Sequence, residues 1–572
     1  MITNPIHKNM LSRFTASHIF VFSCIGIILP PSIYFYFVYS YSLNLPFADD
    51  FTNLDQVMRI FQASNLNDSF SIFFTMENGH RVAFTRFVYT FLYAIFGEIN
   101  FKILILVGNF SLVILLYLFF RILEVPRKNL IYFIPISILL FQLQFWKNMT
   151  WAASSIQHNW ILLFTGLTFY FCSKKSNLFF YSALCLAIAS IFTHAGGWVT
   201  MLLGLIILLT ERRYRESIIW AIVTFFLGFF YFKGFHSSAN ITSGIQSFDG
   251  FKNFLIFYSA FLGSALSPNK VFIAASFGVI LNLYLVYLII DKYFSRNITV
   301  FMFMAYIFFN AVLVAMSRSD LGVENVFAPR YKIVSVILII LVYMSLAEKL
   351  SSSLNQFRGF VFIGILFALT SYSLTFKSGK YNLETKNLSL KWLANQWVNT
   401  NHGFFYTSGN PGVNDKIPNS ILLRALENKF YKLPYQLLYI PDQGYSPFIS
   451  LPITCVSGKN NTFSSKFSVI SMGPEANPYL VRLEGMIHSS IADKKENKSN
   501  IYLILKSRKS NYIFKTHPHQ FLIGSAFFDE NLINAGFIAL VPFEKIEVGL
   551  YQIGFCYKGS INFGDRFLSK KR

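Results

Sequence analysis

Long apolar runs separated by short polar loops set the pattern of the first two thirds of the chain. "HIFVFSCIGIILPPSIYFYFVYS" (18–40) is longer than a core helix needs and long enough to span a bilayer, whose hydrocarbon takes ~20 residues. Comparable runs at 101–121, 129–145, 153–172, 177–193, 197–210, 217–232, 271–290, 298–316, 333–347 and 357–374 predict about eleven crossings. Two other apolar stretches, 81–97 and 251–267, read as helices that lie along the membrane surface or dip in without crossing. The first run reads as an uncleaved span, since no small-residue cleavage site precedes the polar loop.

After residue 376 the pattern changes. No spanning run occurs, and "NLSLKWLANQWVNTNH" (387–402) has the spacing of an amphipathic helix. Later pieces, among them "NPYLVRLEGMIHS", "SNIYLILKSRK" and "GLYQIGFCYKG", alternate apolar and polar residues between turn residues. That alternation predicts antiparallel strands in a small sandwich. The expected architecture is an α-helical polytopic membrane domain over 1–376, with its first outer loop at 41–100. An extracytoplasmic domain over 377–572 follows, with short helices and then a β-rich, sandwich-like part.

Composition agrees with a life in lipid. Of 572 residues, 54% are hydrophobic and only 13% charged, against about 25% in soluble domains. The net charge of +22 would suit nucleic acid in another context. Here Lys and Arg flank the spans, where they set orientation, so no nucleic-acid partner is expected. Half of the surplus, 24 Lys+Arg against 13 Asp+Glu, lies after residue 376 and suits a domain facing anionic headgroups or an acidic glycan. His7, Lys8 and Arg13, then "RILEVPRK" (121–128), "SKKSN", "ERRYRE" and "DKYFSRN", mark the cytoplasmic side. The N-terminus is then inside and the tail outside. Cys24, Cys172 and Cys185 lie in spans. Cys455 and Cys556 lie in the tail, where an oxidising compartment permits a disulfide. No cysteine spacing of the metal-binding kind occurs.

On this topology the polar residues of interest gather on the outer side. "NLPFADDFTN" places Asp49 and Asp50 at the mouth of the first span. One reading is a solvated loop with a helix N-cap at Asp50 or Thr52; the other is a catalytic carboxylate. "ENGHR" brings Glu77, His80 and Arg81 within five residues. Ionisable groups near membrane depth point to function, although an interfacial Arg can simply snorkel. "SRSDLGVENVFAPRY" holds Arg318, Asp320, Glu324, Arg330 and Tyr331, either as a salt-bridged loop or as an anion site. Lys147, His158 and His194 lie on the same side, with Gly196 and Gly197 allowing close backbone approach beside His194. A carboxylate takes a proton from an attacking hydroxyl, and arginines stabilise charge growing on a departing phosphate. Together these groups suit transfer from a lipid phosphate to a hydroxyl.

An Asp-Asp pair in the first outer loop, after an N-in first span, resembles the GT-C superfamily of polytopic membrane glycosyltransferases. "ENGHR" and an "RY" before a late span resemble a bacterial branch of such proteins. The resemblance covers about residues 15–375. It implies a polyprenyl-phosphate sugar donor, a surface-glycan acceptor of the O-antigen or lipopolysaccharide type, and a bacterial inner-membrane location. It also implies that Asp49 or Asp50 is the base. Arg81, Arg318, Arg330 and Tyr331 would bind the lipid phosphate. Glu77, His80, Lys147, His158 and His194 would line the substrate site. No outer D-x-D motif of metal-dependent members is present, so no metal or other cofactor is expected. Rival classes are an O-antigen polymerase or flippase, and a transporter.

Overall fold

The computed structural model describes residues 5–77, 79–125, 130–233, 247–400, 416–434, 464–470, 480–488, 502–508, 511–515, 517–518, 536–542, 546–557 and 560–570. Cys455 and most of the loop 236–250 lie outside them. The chain divides into two compact units, one of Met1–Leu43 with Gln56–Leu383, the other of Asn44–Asp55 with Glu384–Arg572.

The first unit is helical. Helix α1 (Pro5–Tyr41), the second half of α2 (Asp50–Gln62), α3 (Leu66–Phe73) and α4 (Ala83–Phe96) precede a long α5 (Phe101–Ile122). The next run is broken into 3₁₀ turns around α6 (Ile134–Leu140) and α7 (Trp146–Met149). Then follow α8 (Ala152–Cys172), α9 (Asn177–Ile191), α10 (Gly197–Thr210), α11 (Tyr214–Phe232) and α12 (Phe248–Gly263). The unit closes with α13 (Val271–Ile290), α14 (Ile298–Arg318), α15 (Pro329–Leu350) and the first part of α16 (Leu354–Thr400).

Among the described residues, eight helical segments are long and apolar enough to cross a membrane: His18–Tyr41, Phe101–Ile122, Leu130–Met149, Tyr214–Phe232, Val271–Ile290, Ile298–Leu321, Pro329–Leu350 and Leu354–Glu384. The other three expected spans are helices too, but of a different kind. The first turns of α8 carry Ser154, Ser155, Gln157, His158 and Asn159, which lowers its hydropathy. Helices α9 and α10 have only 15 and 14 residues. The stretches 81–97 and 251–267 form α4 and most of α12, of 14 and 16 residues. The expected separate helix at 387–402 is instead the end of α16, which runs 47 residues without a break. Residues 375–400 contain no proline and one glycine, so nothing stops the helix there.

Burial separates an inner from an outer set. Within the spanning windows of Leu130–Met149, Ile298–Leu321 and Pro329–Leu350, 72–78% of residues are buried. In the windows of α1, α11, α13 and α16 the share is 17–22%, and Phe225, Phe229, Phe272 and Leu283 face outward as lipid-facing side chains do.

Two local devices make the packing work. Pro31 in α1 has no N–H to give the carbonyl of Ile27, and Ser137 Oγ on α6 donates to that carbonyl instead, at 2.7 Å. Helices α12 and α13 cross closely through small residues. A Cβ on Gly278 would stand 1.8 Å from Ser259 O, and one on Gly263 would stand 2.1 Å from Ala274 O. Beside this crossing Tyr258 Oη donates to Asn282 Oδ1, and Asn282 Nδ2 donates to Gly278 O.

Among the described residues, the second unit holds α17 (Lys416–Glu427) and eight strands in two four-stranded antiparallel sheets. The strands are β1 (Ser464–Ile470), β2 (Leu480–His488), β3 (Tyr502–Lys506), β4 (Asn511–Lys515), β5 (His517–Pro518), β6 (Gly536–Pro542), β7 (Gly549–Tyr557) and β8 (Ser560–Lys570). The sheet orders are β1-β2-β6-β5 and β4-β3-β7-β8. Leu503, Ile504 and Leu505 are all buried, so β3 is covered on both faces. Cys556, on β7, is buried and disulfide-bonded.

Gly278→Ala is expected to destabilise the bundle by about 1–3 kcal/mol through the forced separation of α12 and α13. The thermal midpoint in detergent measures this. Gly359→Ala, exposed within α16 where an added Cβ meets nothing within 4 Å, should not lower that midpoint and should raise it slightly through the better helix propensity of alanine.

Candidate functional site

The site begins with a buried arginine. Arg86 on α4 is fully buried. Its Nη1 donates to the carbonyls of Phe73 (2.9 Å) and Thr75 (2.6 Å), its Nη2 to Glu77 Oε2 (3.3 Å), and its Nε to Gln56 Oε1. These bonds hold the segment that leads into a tight turn. In that turn Glu77 and His80 exchange backbone hydrogen bonds of 2.7 and 2.8 Å, and Gly79 takes a left-handed φ of +78°. The turn fixes where the His80 side chain emerges.

Arg81 is tied to the backbone. Its Nε donates to Tyr231 O (2.8 Å), its Nη2 to Lys233 O and its Nη1 to Phe74 O, while its N–H donates to Tyr231 Oη. Its guanidinium thus joins the loop to the end of α11.

Three histidines meet in this unit. The ring centroid of His194 lies 5.5 Å from that of His80 and 5.7 Å from that of His158. Tyr331, at the start of α15, sets its ring edge-on to His158 at 5.8 Å. Arg330 stacks near Tyr331 and Trp151, its Cζ 4.9 and 6.0 Å from the ring centroids. Arg318, at the end of α14, is close enough to act electrostatically on His80 and His194, and Arg330 acts on His194 in the same way. Lys147, on α7, lies within the field of Arg330. Trp151 is buried, and the other side chains are half-buried, set in the packed protein but not sealed within it.

Close backbone approach places His194. A Cβ on Gly197 would stand 2.3 Å from the Ser190 carbonyl carbon, and one on Gly196 would stand 2.8 Å from Asn310 Oδ1. Gly196 N–H donates to His194 Nδ1 at 3.1 Å. In the neutral imidazole the proton is therefore on Nε2, which leaves a donor for a ligand. Desolvation, then His80, Arg318 and Arg330, push the His194 pKa down to about 3. Burial first, and Arg318 next, also lower that of His80. His80 Nδ1 is buried and has no hydrogen-bond partner among the described residues.

The backbone at Arg330 is tethered by uncharged groups that have no signal in the sequence pattern. Asn148 Nδ2 donates to Arg330 O (3.1 Å), and Ser154 Oγ donates to Asn148 Oδ1 (2.7 Å). Asn109 Nδ2 donates to Asn148 O, and Tyr34 Oη donates to Asn109 Oδ1 (2.6 Å). No ion pair joins Arg318 or Arg330 to Asp320 or Glu324 among the described residues, so the salt-bridged-loop reading is not what the loop adopts.

Asp49 and Asp50 belong to the second unit. Asp50 is 1% exposed, and its Oδ2 accepts the Phe47 N–H at 3.0 Å, closing the turn at the start of α2. Asp49 is half-buried, and its carbonyl accepts from Asn53 Nδ2. Between Phe47 and Asp49, Ala48 has a left-handed φ of +48°, which costs a non-glycine residue about 1–2 kcal/mol. Within the same unit Arg424 pairs with Asp55 (2.8 Å), Tyr431 Oη donates to Asn44 O (2.6 Å), and Lys386 covers the Phe47 ring (4.4 Å).

No family of known proteins, no curated protein and no solved structure matches the chain.

A histidine held neutral in the fold opposes folding below its unfolded pKa of about 6.5. Between about pH 3 and pH 6.5 the unfolded chain binds the extra proton on His194, so stability should rise with pH over that window. It should fall when pH drops from 7 to 5. The slope of thermal midpoint against pH checks this, and His194→Gln should reduce it by about one proton.

Proposed function

We propose that this chain is a membrane glycosyltransferase of the GT-C type, moving a sugar from a polyprenyl-phosphate donor to a glycan hydroxyl outside the cytoplasm. One observation carries the reading. Arg318 and Arg330 act on histidines that stay neutral, Lys147 lies within the field of Arg330, and none of the three cations has a carboxylate partner among the described residues. Such a constellation has a charge deficit that a lipid-linked phosphate fills. The orphaned His80 Nδ1 and the donor Nε2 of His194 suit the hydroxyls of a sugar.

In this reading the acceptor hydroxyl gives its proton to a carboxylate as its oxygen bonds to the anomeric carbon. The bond from that carbon to the phosphate oxygen breaks, and polyprenyl phosphate leaves with the electron pair, held by Arg318 and Arg330. The anomeric configuration inverts. Asp49 is taken as the base and Asp50 as the residue that closes the turn, its Oδ2 accepting the Phe47 N–H. Arg81, tied to three backbone carbonyls, positions the His80 loop. Eleven crossings with the C-terminal unit outside fit the basic loops, and the disulfide of Cys556 fits an oxidising compartment.

A strain lacking the chain, complemented with variants, tests the proposal by the mass and linkage of its surface glycan. Asp49→Asn is expected to abolish the modification. Asp50→Asn, which keeps an acceptor for the Phe47 N–H, should retain much of it. Arg330→Gln should slow transfer by ~10²–10³. Full modification with both aspartate variants would overturn the assignment, and loss of glycan export without loss of linkage would favour a polymerase or flippase.

A further inference from the structure

Helices α8 and α14 place a second constellation at the ends away from the histidines. His158 lies near the start of α8, and Arg318 ends α14. Beyond the other ends of these helices, ~30 Å away at 1.5 Å per residue, a cleft of about 400 Å³ opens. Three cations line it: Arg121 from the end of α5, Lys174 just after α8, and Arg296 just before α14. Tyr170, Ser173, Thr210 and Thr299, which carry hydroxyls, line the same cleft, as do Glu124 and Glu211.

These cations differ from others that flank helix ends. Nearby, Arg213 pairs with Glu216 (3.2 Å) and Lys349 with Asp291 (2.7 Å). Arg121, Lys174 and Arg296 form no ion pair among the described residues, although two carboxylates share their cleft. Arg121 is instead held by hydroxyls, donating to Tyr117 Oη (3.0 Å) and Tyr170 Oη (3.5 Å), and Lys174 sits over the Tyr170 ring (4.8 Å). Tyr117 is 58% exposed on the outer face of α5.

The wall is also rigidly backed. Asn297, which lines the cleft, donates to Ile122 O (2.9 Å) and to Glu348 Oε1 (2.8 Å). Glu348, 1% exposed, also accepts the Glu124 N–H (2.9 Å) and the Tyr293 hydroxyl. A buried carboxylate thus fixes both the loop after α5 and the turn before α14, the two segments that present Arg121 and Arg296. Charges free to snorkel separately do not need such a backing.

We infer that this cleft binds a phosphate group at the membrane surface, through Arg121, Lys174 and Arg296 with the Tyr170, Ser173 and Thr299 hydroxyls beside them. The inference is independent of sugar transfer, since none of these residues belongs to the histidine cluster. The phosphate comes either from an anionic phospholipid headgroup or from a free phosphate in solution.

The full chain in detergent, titrated with phosphatidylglycerol and separately with inorganic phosphate, separates the two sources by thermal shift. One of the two is expected to raise the midpoint of the native chain by several degrees. Arg121→Gln/Arg296→Gln should weaken half-saturation by roughly tenfold or more. Arg215→Gln removes a charge near the same helix ends but outside the cleft lining, and should leave half-saturation unchanged. Glu211→Gln removes a negative charge from the wall and should tighten binding by roughly threefold, a gain that misfolding cannot mimic. A shift with the lipid alone assigns a headgroup site, and a shift with phosphate assigns a free-anion site. No shift with either probe, or equal binding by the native chain and the double variant, overturns the inference.

Discussion

A buried guanidinium organises the approach to the candidate site. Arg86 has no exposed surface, yet its bonds reach Gln56, two backbone carbonyls and Glu77. An unpaired charge at such a position would be strongly unfavourable, so the surrounding segment has little freedom to depart from this arrangement. The Glu77–His80 turn follows from that constraint, and the place of His80 follows from the turn. Arg81 continues the same logic toward α11 by bonding to the Tyr231 carbonyl. Two arginines five positions apart therefore act as internal braces, whereas Arg318 and Arg330 have no carboxylate partner among the described residues.

Hydropathy made the helical frame legible, because lipid demands long runs in which every backbone group bonds within its own segment. Ten of the expected spans fall on single α-helices, and that at 129–145 falls on 3₁₀ turns around α6. Among the described residues length and apolarity alone qualify eight, since α9 and α10 are short and α8 carries polar residues toward its start. The alternation in the tail was equally readable, and strands lie at 480–488, 502–506 and 549–557 where it is strongest. The missing stop after 376 was harder to foresee. The amphipathic spacing at 387–402 is real, but no residue separates it from the helix before it.

The site was legible in its residue types and only in part in its arrangement. His80, His158, His194 and Tyr331 stood out because ionisable or polar groups are rare in such a chain, and they do meet. Asn109 and Asn148 did not stand out, because a lone amide, in an apolar run or in a short loop, has no local pattern. Its role depends on partners far along the chain: Asn148 bonds a residue 182 positions away. The basic cleft shared this difficulty. Arg121, Lys174 and Arg296 each look like an ordinary flanking charge until the fold brings them together.

Helix α15 has a particular consequence for how the chain is made. Near its start, the carbonyl of Arg330 accepts the amide of Asn148. Near its end, Glu348 accepts from Glu124, 224 positions earlier, and from Asn297. Until the ribosome has delivered this segment, the Asn148 amide and the Glu124 N–H lack these two partners. Both lie at the ends of the apolar runs, where water or lipid headgroups can serve them. Arrival of α15 then closes both ends of the bundle in one late step, so biogenesis of the early helices is completed only by a helix translated long after them.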